Sequence, residues 1–115
     1  MDKLRLVLIN MHVHDVCGFL AAYCDAHSAP AVRINTAGKP IASRVMARML
    51  PLLAARLLYR LRKTSLIIKN EYRLHVPTEE ALALLAVYAM HMTKDDMRRW
   101  PGVLVVCGHI DQATA

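Results

Sequence analysis

The stretch from Pro40 to Lys63 sorts its residues by helical face, and few folds accommodate such a pattern. At about 100° per residue, Arg44 and Arg48 share one stripe, and Arg56, Arg60 and Lys63 share another. The apolar residues move with them. Val45, Met46, Met49 and Leu50 form the first set; Leu53, Leu57, Leu58 and Leu61 form the second. The two halves are offset by roughly a quarter turn, with Pro51 between them. Proline removes a backbone donor and clashes with the preceding turn. The spacing therefore predicts a long helix, opened by Pro40 and kinked or split at Pro51.

The same region is free of acid. Between Asp25 and Glu71 lie Arg33, Lys39, Arg44, Arg48, Arg56, Arg60, Arg62, Lys63 and Lys69, with no Asp or Glu. All nine acidic residues fall outside it, so the net charge of +6 hides a strongly positive middle and slightly negative ends. Segregated charge creates a local field, which governs choice of partner more than fold.

The remaining elements read as follows. Leu4 to Val13 is nearly continuous in apolar residues, which predicts a strand covered on both faces. Asp15 then opens a helix carrying Val16, Phe19, Leu20, Tyr23 and Cys24. Ala31 to Ile34 is short enough for an edge strand, followed by a turn at Asn35 to Gly38. Ser65 to Val76 is β-rich and reads as one long strand or as a tight hairpin around Lys69-Asn70-Glu71; Tyr72, Leu74 and Val76 alternate with Arg73 and His75, so one face is wet. Thr78 suits an N-cap before Glu79 and Glu80, and Ala81 to Met92 is apolar all round. Thr93 with Asp96 forms a capping box for a short helix that ends at Pro101-Gly102. Val103 to Cys107 reads as a buried strand, and 111–115 as a frayed tail. Leu20-Ala-Ala-Tyr23 is echoed by Leu85-Ala-Val-Tyr88, each in the helix of a βαβ-like unit. The expected class is α+β: a single domain over 1–115, a two-layer sandwich of the form βαβ, long bent helix, βαβ, compatible with a ferredoxin-like layout.

The totals bound the setting. The longest apolar run, Ala81 to Met90, is half of the ~20 residues a spanning helix needs, so no membrane partner is expected. Asn10, His12, His14 and Asp15 interrupt the start too early for a signal peptide. Three cysteines, with Cys17 and Cys24 two helical turns apart, suit reduced thiols in a cytoplasmic compartment. A 56% apolar composition exceeds what a small surface readily hides, which predicts a homodimer or a subunit of a complex. Four glycines form no phosphate-cradling loop, and no cofactor is expected.

The basic middle is the leading candidate site. Arg44, Arg48, Arg56, Arg60, Arg62 and Lys63 would neutralise phosphates, with Arg33, Lys39 and Lys69 further out. Tyr59 among them could stack on a base. The same field would steer an acidic protein, and a solvated helix face is the plain alternative. His12-Val13-His14 offers another chemistry. Two histidines at i and i+2 on a strand share a face, as two ligands of one metal must, and His109 could join them. The tripeptide resembles the metal motif of the HUH nucleases. That resemblance implies a helix-borne tyrosine attacking a DNA phosphate, with Tyr59 and Lys63 as the formal match. It covers these few residues, and here one strand precedes the motif where the family has more. Cys17, three residues after His14, is a further nucleophile candidate. Met46 and Met90 read as core fillers, and Trp100 as an interface anchor or a lid on the core.

The function expected from this reading is a small non-enzymatic regulator or inhibitor. It would engage nucleic acid, or an acidic protein that handles nucleic acid, through the basic helical patch. The alternatives are a metal-dependent HUH-like nuclease and an obligate subunit of a protein complex.

Overall fold

A computed structural model describes residues 2–27 and 41–115; for 41–47 it describes the backbone alone. The elements are β1 (Lys3–Ile9), α1 (Asn10–His27), α2 (Ile41–Thr64), β2 (Glu71–Pro77), α3 (Thr78–His91), α4 (Lys94–Arg99) and α5 (Gly102–Thr114). The class is mixed α+β, with a two-stranded antiparallel sheet packed against helices. Arg33 and Lys39, the strand expected at 31–34 and the turn after it lie outside the described residues.

β1 and β2 pair from Lys3↔Pro77 to Ile9↔Glu71, with Leu6 opposite Leu74. Alternation sets which face is buried. Leu6 and Leu8 turn inward beside Tyr72, Leu74 and Val76, while Arg5, Val7, Ile9, Arg73 and His75 stay outside. The wet face expected for the second strand is present. The first strand, expected to be covered on both sides, has Val7 and Ile9 nearly half exposed. Each strand runs straight into a helix, and the echoed tetrapeptides occupy the equivalent helices α1 and α3.

β1 is shorter than its apolar run suggests. The helical period takes over at once, with Val13, Val16, Phe19, Leu20, Tyr23 and Cys24 all buried on one face of α1. Asp15 does not open that helix. It lies inside it, buried, and its Oδ2 accepts the Gly102 N–H at 2.8 Å. That bond satisfies one of the orphan donors at the start of α5. A Cβ on Gly102 would sit 2.6 Å from the same oxygen, and one on Gly18 would collide with the Trp100 indole. Two glycines thus let α1 and the Trp100-Pro101-Gly102 corner approach closely. Trp100 also tilts against Phe19 at 6.2 Å, acting as a lid on the core.

The strand expected at Val103 to Cys107 is instead the first half of α5. Val103, Val106, Cys107 and Ile110 are buried at helical spacing, while Leu104 and Val105 are exposed. The residues expected to fray are helical through Thr114, whose hydroxyl donates to the Ile110 carbonyl at 2.8 Å. With a helix in place of that strand, the ferredoxin-like double βαβ is not the layout of the described residues. Met90 is also not a core filler; it is 59% exposed. Thr78 stands one residue inside α3 and donates to the Asp2 carbonyl rather than capping its own helix. The capping box at Thr93 and Asp96 is present in both directions.

The Asp15–Gly102 bond joins residues 87 apart in the chain, so its loss is felt globally. Asp15→Ala and Gly102→Ala are each expected to lower unfolding free energy by about 1–3 kcal/mol. The double variant should cost less than the sum, because the Cβ added at Gly102 crowds the Asp15 carboxylate, and that carboxylate is gone in Asp15→Ala. Urea denaturation of the four proteins checks this.

Candidate functional site

α2 is helical without a break across Pro51. The expected split is therefore absent. On an ideal wheel, Leu50, Leu53, Ala54, Leu57, Leu58 and Leu61 occupy an arc of about 140°. All pack in or against the core. The complementary arc carries Arg48, Met49, Leu52, Arg56, Tyr59, Arg60, Arg62 and Lys63. Of these only Arg60 is half-buried; the others are exposed. The leucines are held by α1 on one side and α3 on the other. Burying a leucine contributes roughly 1.5–3 kcal/mol, so the rotation of α2 is set by its apolar face. The cations take the solvent side by exclusion.

The arrangement separates the cations into two kinds. Arg60 is engaged: its Nε and Nη2 donate to the two oxygens of Glu80 at 3.1 and 3.2 Å. Glu80 is buried at the start of α3, and the bidentate bond holds the guanidinium pKa above its ordinary value. Arg60 therefore joins α2 to α3. Arg60, expected as part of the basic patch, is thus held by Glu80 while remaining partly exposed. Arg48, Arg56, Arg62 and Lys63 make no ion pair with a carboxylate among the described residues. Arg62 lies toward α1, near enough to Cys17 and Cys24 to act on them electrostatically. Arg44 lies on the first turn of α2, where the backbone alone is described. Lys69 is exposed in the connection after the helix.

Arg56, Tyr59 and Lys63, with Leu52 and the Arg60–Glu80 pair, line an open groove of about 530 Å³. Tyr59 is 70% exposed, so its ring is free on the surface. An exposed aromatic among unpaired cations can contact both a phosphate and the face of a base.

The histidine motif does not assemble as expected. His12 and His14 stand on α1, where residues two apart point about 200° from each other. His12 packs beside Gly102 and Asp15, whereas His14 is exposed. His109 is exposed on α5. Among the described residues no three His, Cys, Asp or Glu side chains are grouped to hold a metal ion. The shared-face premise of the HUH resemblance is thereby removed. Cys17 is no activated nucleophile: desolvation raises its pKa, and nearby Arg62 offsets this only in part. Burial pushes Cys107 up to about 12. Cys17, Cys24 and Cys107 form no disulfide among the described residues.

A cluster the sequence did not signal sits at the end of α1. His27 stacks on Tyr23 at 4.4 Å and meets His91 edge-on at 4.8 Å. The His27 Nδ1 lies 2.9 Å from the Tyr23 carbonyl. Sequence separation hid this pair, since His91 arrives from the far end of α3.

No helix among the described residues is long and apolar enough to cross a membrane. A scan against protein-family models and searches of curated proteins and of solved structures return no match.

Two predictions follow from these contacts. Arg60→Ala strands the Glu80 carboxylate and is expected to destabilise by about 1–2 kcal/mol, allowing for the partial exposure of the arginine. Arg56→Ala and Lys63→Ala should stay within about 0.5 kcal/mol of the parent in the same urea titration. The second concerns pH. Desolvation, then the neighbouring His27, lowers the His91 pKa from 6.5. A depressed imidazole contributes stability above its unfolded value and loses it as pH falls through the folded value. Between about pH 7.5 and 5 the urea midpoint should drop, and His91→Gln should flatten that drop.

Proposed function

We propose that this is a nucleic-acid-binding protein that acts as a regulator or inhibitor in the cytoplasm, through the outer stripe of α2. Arg48, Arg56, Arg62 and Lys63 neutralise backbone phosphates, and Tyr59 adds a stacking surface. Lys69 extends the field beyond the helix end. The single observation that carries this reading is the exposed arc of α2. There Arg48, Arg56, Arg62 and Lys63 are exposed without a carboxylate partner among the described residues, and Arg56 and Lys63 share a groove with the exposed Tyr59. From Arg48 to Lys63 the stripe runs roughly 22 Å along the helix, a linear track suited to a linear polyanion. Contacts of this kind position a backbone and carry no base readout, so affinity should depend on salt more than on sequence.

Fluorescence anisotropy with a labelled 30-mer, across a salt series, tests the reading. Log affinity should fall linearly with log salt. Arg56→Gln with Lys63→Gln should reduce the slope by about 2, reflecting two lost phosphate contacts. Arg98→Gln with Arg99→Gln removes the same charge from α4 and should leave the slope near the parent value. Binding that ignores salt, or an equal loss in the α4 control, would overturn the proposal.

A further inference from the structure

The connection between α2 and β2, Ser65 to Asn70, presents an unusual tip. Leu66, Ile67 and Ile68 are consecutive and are 81%, 66% and 85% exposed. Three large aliphatics in a row facing water oppose the hydrophobic effect and mark a contact surface. The tip is braced from beneath. Tyr72, itself buried in the sheet, donates its hydroxyl to the Ile67 carbonyl at 3.0 Å and accepts the Lys69 N–H at 3.2 Å. The Ser65 N–H donates to the Leu61 carbonyl at 2.9 Å, tying the start of the loop to the end of α2. Cations flank the tip on both sides: Arg62 and Lys63 before it, Lys69 after it. Glu71, the next carboxylate in the chain, faces Arg73 at 3.8 Å.

The geometry points to double-stranded DNA as the ligand, with Leu66, Ile67 and Ile68 acting as an aliphatic wedge that unstacks a base step and bends the duplex. This rests on the proposed nucleic-acid reading and deepens it. An apolar tip at the end of a line of exposed cations suits an occupant that is anionic outside and apolar within. A duplex meets that description, since its phosphates flank a stack of bases that apolar side chains can enter from the minor groove. An anionic bilayer meets it too, but the charge layout favours DNA. The unpaired cations extend along the helix in a line that ends at the tip, as a duplex backbone requires. Insertion into a flat headgroup layer would engage only the cations beside the tip and would leave Arg48 and Arg56, further back along the helix, without a role. The Tyr72 brace also makes the loop a preformed wedge, so little ordering is lost on insertion.

The test uses a 20-base-pair DNA duplex, about 68 Å long at 3.4 Å per pair, carrying donor and acceptor dyes at its ends, with anisotropy read on the same samples. Full-length protein should bind and raise transfer efficiency as the ends approach. Leu66→Ser with Ile68→Ser changes two solvent-facing side chains, and circular dichroism melting checks that it folds like the parent. This variant should retain affinity within about tenfold and an unchanged salt slope, because phosphate contacts supply most of such binding. Its bend should be lost. Binding by the parent without a change in transfer would overturn the wedge and leave the nucleic-acid reading standing. A variant that bends DNA like the parent would do the same. Failure to bind the duplex while a single-stranded 30-mer is bound would overturn the wedge alone, failure to bind either at any salt would overturn both, and preferential binding of the parent to phosphatidylserine vesicles, lost in the variant, would reassign the tip to a lipid surface.

Discussion

The leucine face of α2, buried between α1 and α3, fixes the rest. Leu57, Leu58 and Leu61 are almost fully excluded from water, and Ala54 completely so. No rotation of the helix about its axis keeps these residues buried and also buries the arginines. Once the apolar arc is seated, the cations of the opposite arc face solvent, and they do so together. Arg60 shows how tightly the edge of that arc is specified. It sits at the boundary with the core and is matched there by a buried carboxylate from α3. Removing the arginine would leave the buried Glu80 carboxylate without its partner, which costs more than the modest worth of the pair itself.

The second organising contact joins the two ends of the chain. Asp15 and Gly18 on α1 receive Gly102 and Trp100, and the close approach depends on the missing Cβ of each glycine. This corner aims α5 back across α1 and α3, where Val103, Val106 and Ile110 complete the core. Neither this corner nor the leucine face of α2 uses the side chains of Arg48, Arg56, Arg62 or Lys63. Those exposed cations can change without unfolding the protein, which leaves the surface of α2 open to a functional role.

Much of this was legible in the sequence. The alternation in Tyr72, Leu74 and Val76, the capping box at Thr93 and the extent of α2 follow from local periodicity and chemistry, and the structure contains all three. The failures share a cause. Val103 to Cys107 is a five-residue apolar run, too short to separate strand from helix by period alone, although Val103, Cys107 and Ile110 together carry the helical spacing. His12-Val13-His14 belongs to a helix for the same reason: Met11 and Val13 carry the strand-like alternation of β1 past Asn10 into the first turn of α1, with no Gly or Pro to mark the boundary. The pairing of Arg60 with Glu80 and the brace from Tyr72 to the loop are tertiary, and nothing in the spacing announces them. At the candidate site, charge segregation identified the helix and its face. It did not distinguish the engaged arginine from the free ones, and it missed the aliphatic tip.

The central claim is that the outer face of α2 meets the polyanion. Amine acetylation footprinting reads this directly by comparing Lys63 and Lys69 with Lys3 and Lys94, with and without DNA. The account predicts that DNA shields Lys63 and Lys69 while Lys3 and Lys94 react as before. Shielding of Lys94 or Lys3, with Lys63 still reactive in the bound state, would contradict it.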